Sequence, residues 1–189
     1  IVFTITGSND VPIVAAEMAS LDEDATATGN VLTNASDDDT GASLVASGYA
    51  VGDTSIMTKD PGETLVGTFG SLTIAAGGVY SYTADQADAD ALAFGESATD
   101  IFSYAVSDEN GGTSYNTLTF TVNGTNDGPV LNTITAATAT EGDSTTTTGT
   151  ITSTDIDTGD TATYSTTAKV DGFTLNPDGT YTFDPTDQA

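Results

Sequence analysis

The chain lacks cysteine, histidine, tryptophan and arginine, and its only basic residues are Lys59 and Lys169. Without cysteine, no disulfide can stabilise the fold. The absence of histidine and cysteine removes most zinc sites, the thiol nucleophile and the commonest general base. Two lysines cannot supply the positive surface that phosphate groups require, so nucleic acid is excluded and an anionic membrane surface is disfavoured. We therefore expect a protein that is not an enzyme.

Long apolar runs are also missing. No stretch reaches the 18 or more apolar residues, roughly, that read as a membrane-spanning helix, so this segment is not expected to insert into a membrane. No signal peptide is visible, and Ile1 lies within a strand-like run. We expect a piece of a longer chain whose targeting signals lie elsewhere.

The charge is nearly all of one sign. Twenty-eight acidic residues face two basic ones, which leaves a net charge of −26. Leu, Ile, Val and Phe together number 37 of 189 residues, a share close to that of disordered chains of high charge. Because like charges oppose compaction, we expect the fold to need neutralisation by a divalent cation, by salt or by low pH.

One segment occurs twice. Residues 3–14 (FTITGSNDVPIV) recur as residues 120–131 (FTVNGTNDGPVL), an offset of 117. Domain-sized repetition predicts a tandem array. The predicted divisions are residues 1–10, the last strand of a preceding repeat; residues 11–127, a complete repeat; and residues 128–189, a partial second repeat.

Alternating apolar residues between turn signals predict an all-β fold. Residues 101–107 and 113–122 form one predicted hairpin, with Phe102 and Phe120 on its apolar faces. Residues 69–83 form a second hairpin, which residues 172–183 repeat, and residues 84–94 allow a helical turn or two. We predict tandem β-sandwich domains joined end to end. The first repeat is longer, and residues 48–65 are the expected surface insertion.

The acidic residues concentrate in predicted loops, where Ca²⁺ finds the carboxylate, carbonyl and water oxygens that it prefers. Asp and Asn also favour turns for local hydrogen-bonding reasons, but the scarcity of lysine favours metal binding for the set. The candidate ligands are Asn9, Asp10, Glu23, Asp37, Asp39, Asp100, Asp108, Asn126, Asp127, Asp155 and Asp157.

Chain topology divides these ligands into two groups, because alternate loops of a sandwich return to the same end. Asp10, Asp37, Asp39 and Asp108 should lie where the chain enters the first repeat. Glu23 and Asp100 should lie at its other end, and should meet the remaining candidates across the joint to the second repeat: Asn126, Asp127, Asp155 and Asp157.

Several motifs point to one family. Residues 120–129, preceded by residues 104–113, resemble the closing part of a VCBS repeat and of the bacterial cadherin-like domains of large RTX-type secreted adhesins. Residues 29–34 followed by 37–39 resemble the opening segment, and residues 173–183 the central hairpin. The resemblance implies Ig-like or cadherin-like sandwiches in long secreted bacterial proteins, with calcium stiffening the joints between domains.

The expected function is therefore structural, as a calcium-stiffened extender of a secreted or cell-surface adhesin or fibre. Its expected partners are neighbouring repeats of the same chain and, in a fibre, other copies of the same protein. Two alternatives stay open: a carbohydrate- or peptide-binding module that uses residues 48–65 or a sandwich face, and a filament subunit that exchanges strands with its neighbours.

Overall fold

A computed structural model of the protein describes residues 1–186, so the last three residues of the predicted second repeat lie outside the described residues. The chain divides into two compact units, Ile1–Thr125 and Asn126–Ala189. Their regular structure is almost entirely strand, which confirms the predicted all-β class. Among the described residues, no helix is both long and apolar enough to cross a membrane.

The first unit is a two-sheet sandwich. Its elements in chain order are β1 (Glu17–Asp22), β2 (Thr26–Asn30), β3 (Val45–Val51), β4 (Leu65–Val66), β5 (Ser71–Ile74), β6 (Val79–Thr83), α1 (Ala87–Asp90), β7 (Ser97–Ser107) and β8 (Thr113–Asn123). One sheet has the order β1-β8-β7-β3, and the other β2-β6-β5-β4. The pairing of β1 with β8 is parallel, and the other pairs in both sheets are antiparallel.

Both hairpins predicted in this unit are present. Strands β7 and β8 pair along their whole length, with Phe102 opposite Leu118, and β5 pairs with β6. The predicted apolar faces are fully buried: Phe102, Tyr104, Val106, Leu118, Phe120 and Val122. Period-two alternation was therefore a sufficient guide to which side of each strand enters the core.

Aromatic rings join the two sheets at the centre of the core. The ring of Tyr82 on β6 stacks on that of Phe120 on β8 at 3.9 Å between centroids and 6° between planes. Tyr80 and Phe102 meet Phe120 edge-on at 5.7 and 6.1 Å. Because aromatic side chains bury large apolar areas, and Phe120 contacts three other rings, Phe120 is central to the packing of the sandwich.

The expectation of a surface insertion over residues 48–65 is wrong in its first part. Residues 48–51 belong to β3, which pairs with β7, and Tyr49 and Ala50 are buried. A β-bulge between Ala46 and Gly48 shifts the register. This bulge interrupts the alternation that would have identified the strand from sequence.

The second unit contains two small sheets. Its strands are β9 (Val130–Leu131), β10 (Thr147–Thr150), β11 (Ser153–Thr154), β12 (Phe173–Leu175) and β13 (Thr180–Phe183). Strand β13 pairs with β10 and β12, which confirms the predicted second copy of the central hairpin, and β9 pairs with β11. In the part of this unit that the structure describes, no strand corresponds to β7 or β8.

Replacing Phe120 by Ala should destabilise the first unit by about 3–5 kcal/mol, the usual cost of a large-to-small change in a packed core. Phe120→Leu keeps most of the volume and should cost clearly less. Urea unfolding followed by near-ultraviolet circular dichroism measures both. Equal losses for the two variants would contradict the central role of the ring.

Tyr104 should make the fold sensitive to alkali. Burial, with a smaller contribution from Glu17, raises the pKa of Tyr104 from 10.0 to about 12. The unfolded chain therefore loses this proton at lower pH than the folded chain. The stability associated with the neutral phenol is complete below pH 10 and is lost as pH rises towards 12. Unfolding free energies across this range should fall less steeply for Tyr104→Phe than for the wild type.

Candidate metal centres

The structure brings five of the candidate ligands together where the chain enters the first unit. The Asp10 amide donates to Asp39 Oδ2 at 2.8 Å, and the Asp39 amide donates to Asp37 Oδ1 at 2.8 Å. Asn9 Nδ2 donates to Asp108 Oδ2 at 2.7 Å. We call this group of Asn9, Asp10, Asp37, Asp39 and Asp108 the first carboxylate cluster.

Local chain geometry places the Asp37–Asp39 loop beside the incoming segment. An isolated bridge joins Ile13 to Ser36 through two backbone hydrogen bonds of 2.7 and 3.0 Å. The loop then turns, and the Asp37 carboxylate stabilises the turn by accepting the hydrogen bond from the Asp39 amide, a conformation that aspartate favours. Asp37 and Asp39 are half-buried whereas Asp38 is exposed. The cluster therefore uses alternate residues of the loop.

Asp108 organises the turn between β7 and β8. Its buried carboxylate accepts hydrogen bonds from the amides of Asn110 at 2.7 Å and Gly112 at 2.9 Å, as well as from Asn9. The hydrogen bond from Asn9 is the largest cause that holds the pKa of Asp108 below its usual value, against the opposing effect of burial. A Cβ at residue 112 would lie 2.2 Å from Asp108 Oδ2, so this position requires glycine.

One oxygen of the first carboxylate cluster has no partner. Asp37 Oδ2 is buried and accepts no hydrogen bond from any residue described by the structure. A carboxylate oxygen can only accept, and burying it unpaired is costly. This oxygen therefore fits a bound cation, and a hard cation such as Ca²⁺ takes oxygen ligands of this kind.

The second unit reproduces this arrangement. The Asp127 amide donates to Asp157 Oδ2 at 2.8 Å, and the Asp157 amide donates to Asp155 Oδ1 at 3.1 Å. Asn126 Nδ2 donates to the carbonyl of Asp127, as Asn9 Nδ2 does to that of Asp10. The sequence repeat is therefore also a repeat of hydrogen bonds.

A further acidic residue completes the group in the second unit. The carboxylate oxygens of Asp155, Asp157 and Asp160 lie within 4.8 Å of one another. Ligands on opposite sides of one Ca²⁺ lie at most about 5 Å apart, since each Ca–O bond is about 2.3–2.6 Å. Asp157 is 4% exposed, and its Oδ1 is buried without a partner among the described residues. We call Asn126, Asp127, Asp155, Asp157 and Asp160 the second carboxylate cluster.

Sequence reasoning missed Asp160. A hydrogen bond of 3.4 Å from the Asp160 amide to the Asp157 carbonyl forms the turn that brings Asp160 to the other carboxylates. Gly159, at a φ of 93°, lies within this turn. An acidic residue three positions after Asp157, preceded by glycine, was the available signal.

Glu23 lies at the end of the first unit where the chain leaves it. Its Oε1 accepts hydrogen bonds from the amide and the hydroxyl of Thr125 at 2.7 and 2.6 Å. Its Oε2 is buried and unpartnered within the described chain. Glu23 therefore has one oxygen committed to the fold and a second one fitted to a cation.

Asp100 has a structural role rather than the predicted grouping with Glu23. Its buried carboxylate accepts hydrogen bonds of 2.9–3.0 Å from three consecutive amides of residues 68–70 and one of 2.8 Å from the Tyr82 hydroxyl. Burial, together with the hydrogen bond to Asp100, raises the pKa of Tyr82 well above its usual value, so the phenol remains a donor. Four donors satisfy the carboxylate without a metal.

Comparisons with known proteins identify the first unit. A family model described as bacterial cadherin-like domain matches residues 9–124. Sequence comparison with curated proteins finds no match.

Two solved structures show weak similarity. One is a nucleoside hydrolase-related protein from Saccharophagus degradans associated with carbohydrate metabolism, at 14% identity and a TM-score of 0.39. The match covers 62% of this chain but only 26% of that one. The other is murine CEACAM1b, at 14% identity and a TM-score of 0.31, with 88% of this chain and 80% of that one covered.

The two kinds of carboxylate should respond differently to calcium. Asp100→Asn turns one acceptor into a donor that faces other donors, and should cost about 3 kcal/mol with or without calcium. Asp39→Asn retains an oxygen for the Asp10 amide, so it should cost little in chelator and more in calcium. Asp38→Asn, which removes an exposed neighbouring charge, is the matched control. A calcium-dependent cost for Asp100→Asn would contradict these assignments.

Proposed function

The chain belongs to the bacterial cadherin-like domain family, and we propose that it is a structural extender segment of a calcium-stiffened extracellular adhesin or surface fibre. The family match covers residues 9–124. The observation that supports this proposal most directly is the duplicated carboxylate cluster, in which Asp37 and Asp157 each have a buried oxygen without a partner among the described residues. The chain as a whole has a net charge of −26. Domains of this family generally bind calcium and are generally extracellular or on the cell surface.

Calcium binding would use the side-chain oxygens of both clusters and of Glu23. A bound Ca²⁺ would supply two positive charges, and it would be coordinated by six to eight oxygen atoms. The chain's own part is to hold these oxygens in place through the amide hydrogen bonds from Asp10 to Asp39 and from Asp127 to Asp157. Since the unfolded chain lacks this arrangement, binding free energy becomes folding free energy.

The positions of the clusters support a tandem array. Asn9 and Asp10 precede the first repeat in sequence, and Asn126 and Asp127 precede the second. Each set of ligands thus combines a linker residue with a loop of the repeat that follows, so an ion there would tie linker to domain. Residues 1–10 and 128–189 then belong to the repeats on either side, and neighbouring repeats are the main partners.

The same electrostatics support the proposed location outside the cell. Two lysines cannot neutralise 28 acidic residues, so stiffness depends on an external cation. Millimolar calcium would be high enough to saturate the weaker classes of protein calcium site. The segment would be flexible where calcium is scarce and rigid where it is abundant, a mechanical role that needs no catalytic group.

Calcium should raise the melting temperature of the purified 189-residue chain, whereas magnesium should do so less because it requires a stricter octahedron. At a hundredfold excess over Kd, binding adds about 2.7 kcal/mol. For a chain of this size that corresponds to a Tm rise on the order of 5–10 °C. Scanning calorimetry in calcium, magnesium and chelator measures the effect.

The double variant Asp155→Asn, Asp157→Asn should reduce the calcium-induced rise, and Asp38→Asn should leave it intact. Melting curves that coincide in calcium and chelator would refute the proposed function. A rise that survives both the double variant and its counterpart at Asp37 and Asp39 would show that calcium binds elsewhere.

A carbohydrate-binding module is the second candidate, favoured by one surface feature. A cavity of about 410 Å³ is lined by Asp53, Thr54, Ser55, Ser103, Tyr115, Asn116 and Thr117. Hydroxyls, an amide, a carboxylate and a half-exposed aromatic ring suit a sugar. Since deleting residues 48–65 would remove part of β3, Tyr115→Ala on a glycan array is the better test. Hits that vanish in this variant would favour the module.

A further inference from the structure

Two asparagines of the first unit are followed directly by glycine. Asn110 lies in the turn between β7 and β8, and Asn123 is the last residue of β8. Every other asparagine of the sequence precedes a residue that carries a side chain. Asparagine is a thermolabile residue, and it is most labile before glycine, because the missing Cβ lets the glycine nitrogen approach the asparagine side chain.

The reaction of such a pair is deamidation, and it consumes only water. The glycine nitrogen attacks Cγ of the asparagine side chain, and the new N–Cγ bond closes a succinimide ring. The side-chain nitrogen leaves as ammonia, with the proton that the attacking nitrogen loses. Water then opens the ring. Opening at the side-chain carbonyl gives aspartate, and opening at the main-chain carbonyl gives isoaspartate, in which the main chain runs through the former side chain and is longer by a carbon atom.

The fold restrains the side chain and the main chain of Asn123. Its Nδ2 donates hydrogen bonds to Ser20 Oγ and to the Leu21 carbonyl, both at 3.2 Å, and to Asp22 Oδ1 at 3.4 Å. Its carbonyl accepts a hydrogen bond from the Glu23 amide at 2.9 Å. These contacts hold the Asn123 side chain against β1.

The glycine that would attack Asn123 is also fixed. The Gly124 amide donates a hydrogen bond to the Glu96 carbonyl at 3.0 Å. Gly124 is buried, and a Cβ built on it would lie 2.1 Å from the Leu92 carbonyl oxygen. To attack Asn123, this amide would have to leave its acceptor, and the main chain would have to rotate where packing leaves no space. The Asn123–Gly124 pair is therefore protected by the folded structure.

The turn between β7 and β8 leaves Asn110 much freer. Within the described chain its side chain makes one hydrogen bond, of 3.3 Å, to the Asp108 carbonyl. Gly111 has a φ of 111°, and apart from its two chain neighbours no atom lies within 4 Å of a Cβ built on it. Of the hydrogen bonds that lower the pKa of Asp108, the one from the Asn9 side chain contributes most and the one from the Gly111 amide least. The Gly111 amide is therefore only weakly held.

Isoaspartate at residue 110 would alter the turn that Asp108 organises. Asp108 Oδ1 accepts hydrogen bonds from the amides of Asn110 at 2.7 Å and Gly112 at 2.9 Å. The additional main-chain carbon would lie between these two donors. Residue 112 has no room to move closer, because a Cβ built there would already lie 2.2 Å from Asp108 Oδ2 and 2.9 Å from the Asp10 carbonyl oxygen. The altered turn therefore loses at least one of the two hydrogen bonds.

We propose that Asn110 is a site of spontaneous deamidation through attack by the Gly111 nitrogen, and that the fold protects Asn123 from the same reaction. The product adds a negative charge to the turn, and isoaspartate weakens the hold on the Asp108 carboxylate. The reaction needs no enzyme, so the modified fraction rises with the age of the protein. It does not depend on calcium binding.

Peptide mapping of aged protein tests the selectivity. The 189-residue protein is kept at mildly alkaline pH in chelator, and samples are digested with pepsin at acidic pH, where deamidation is slow. Mass spectrometry then measures the exchange of NH₂ for OH at each asparagine. Asn110 should convert faster than Asn123 by a factor on the order of ten or more, because several hydrogen bonds must break before Asn123 can react. In urea the two residues should convert at similar rates.

Two variants at residue 110 test the effect on the turn. The deamidated wild-type fraction, separated by ion exchange, should contain isoaspartate detectable by enzymatic methylation, and its Tm should be lower by roughly 5 °C. Asn110→Gln keeps a side-chain amide but closes the larger ring much more slowly, so after the same ageing it should show neither change. Asn110→Asp adds the charge without the extra carbon, and its Tm should stay close to that of fresh wild type.

Equal conversion of Asn110 and Asn123 in the folded protein would overturn the proposal. Conversion of Asn110 no faster than that of Asn116, which precedes threonine, would do the same. A preference for Asn110 that persists in urea would assign the selectivity to local sequence and would overturn protection by the fold. An unchanged Tm in the isoaspartate-containing fraction would refute the predicted effect on the turn. Because every measurement is made in chelator, these failures would leave the calcium proposal standing.

Discussion

The structure depends on how a chain with 28 acidic residues and two lysines accommodates buried carboxylates. Salt bridges are scarce in such a chain. Within the described residues, the ion pair found is that of Lys59 and Glu63, at 3.5 Å. The buried acids must therefore be satisfied by backbone and side-chain donors or by an external cation, and the described chain contains both situations. Carboxylates that are satisfied by donors stabilise the fold, whereas those that lack donors are suited to binding a cation.

Asp100 represents the first solution, since its carboxylate accepts hydrogen bonds from three backbone amides and from the Tyr82 hydroxyl. Asp37 and Asp157 represent the second. Asp37 Oδ1 accepts from the Asp39 amide and Asp157 Oδ2 accepts from the Asp127 amide, whereas the other oxygen of each is buried without a donor among the described residues. Aspartates of one chain thus differ in role because the number of N–H groups around them differs.

The two units also differ in how far their sheets are covered. The aromatic residues of β6 meet Phe120 across the sandwich, whereas those of β13 border an open groove.

Periodicity and composition determined the all-β class, the three hairpins, the apolar faces around Phe102 and Phe120, and the Asp-x-Asp loops, because these depend on residues close together in sequence. The position of β3 escaped prediction because a bulge breaks its alternation. Tertiary structure alone decided which carboxylates are satisfied: Asp100 meets amides 30–32 residues away, and Asp157 accepts from the Asp127 amide 30 residues away. Whether a carboxylate needs a cation depends on the donors that folding brings to it, and those lie too far along the chain for local sequence to specify.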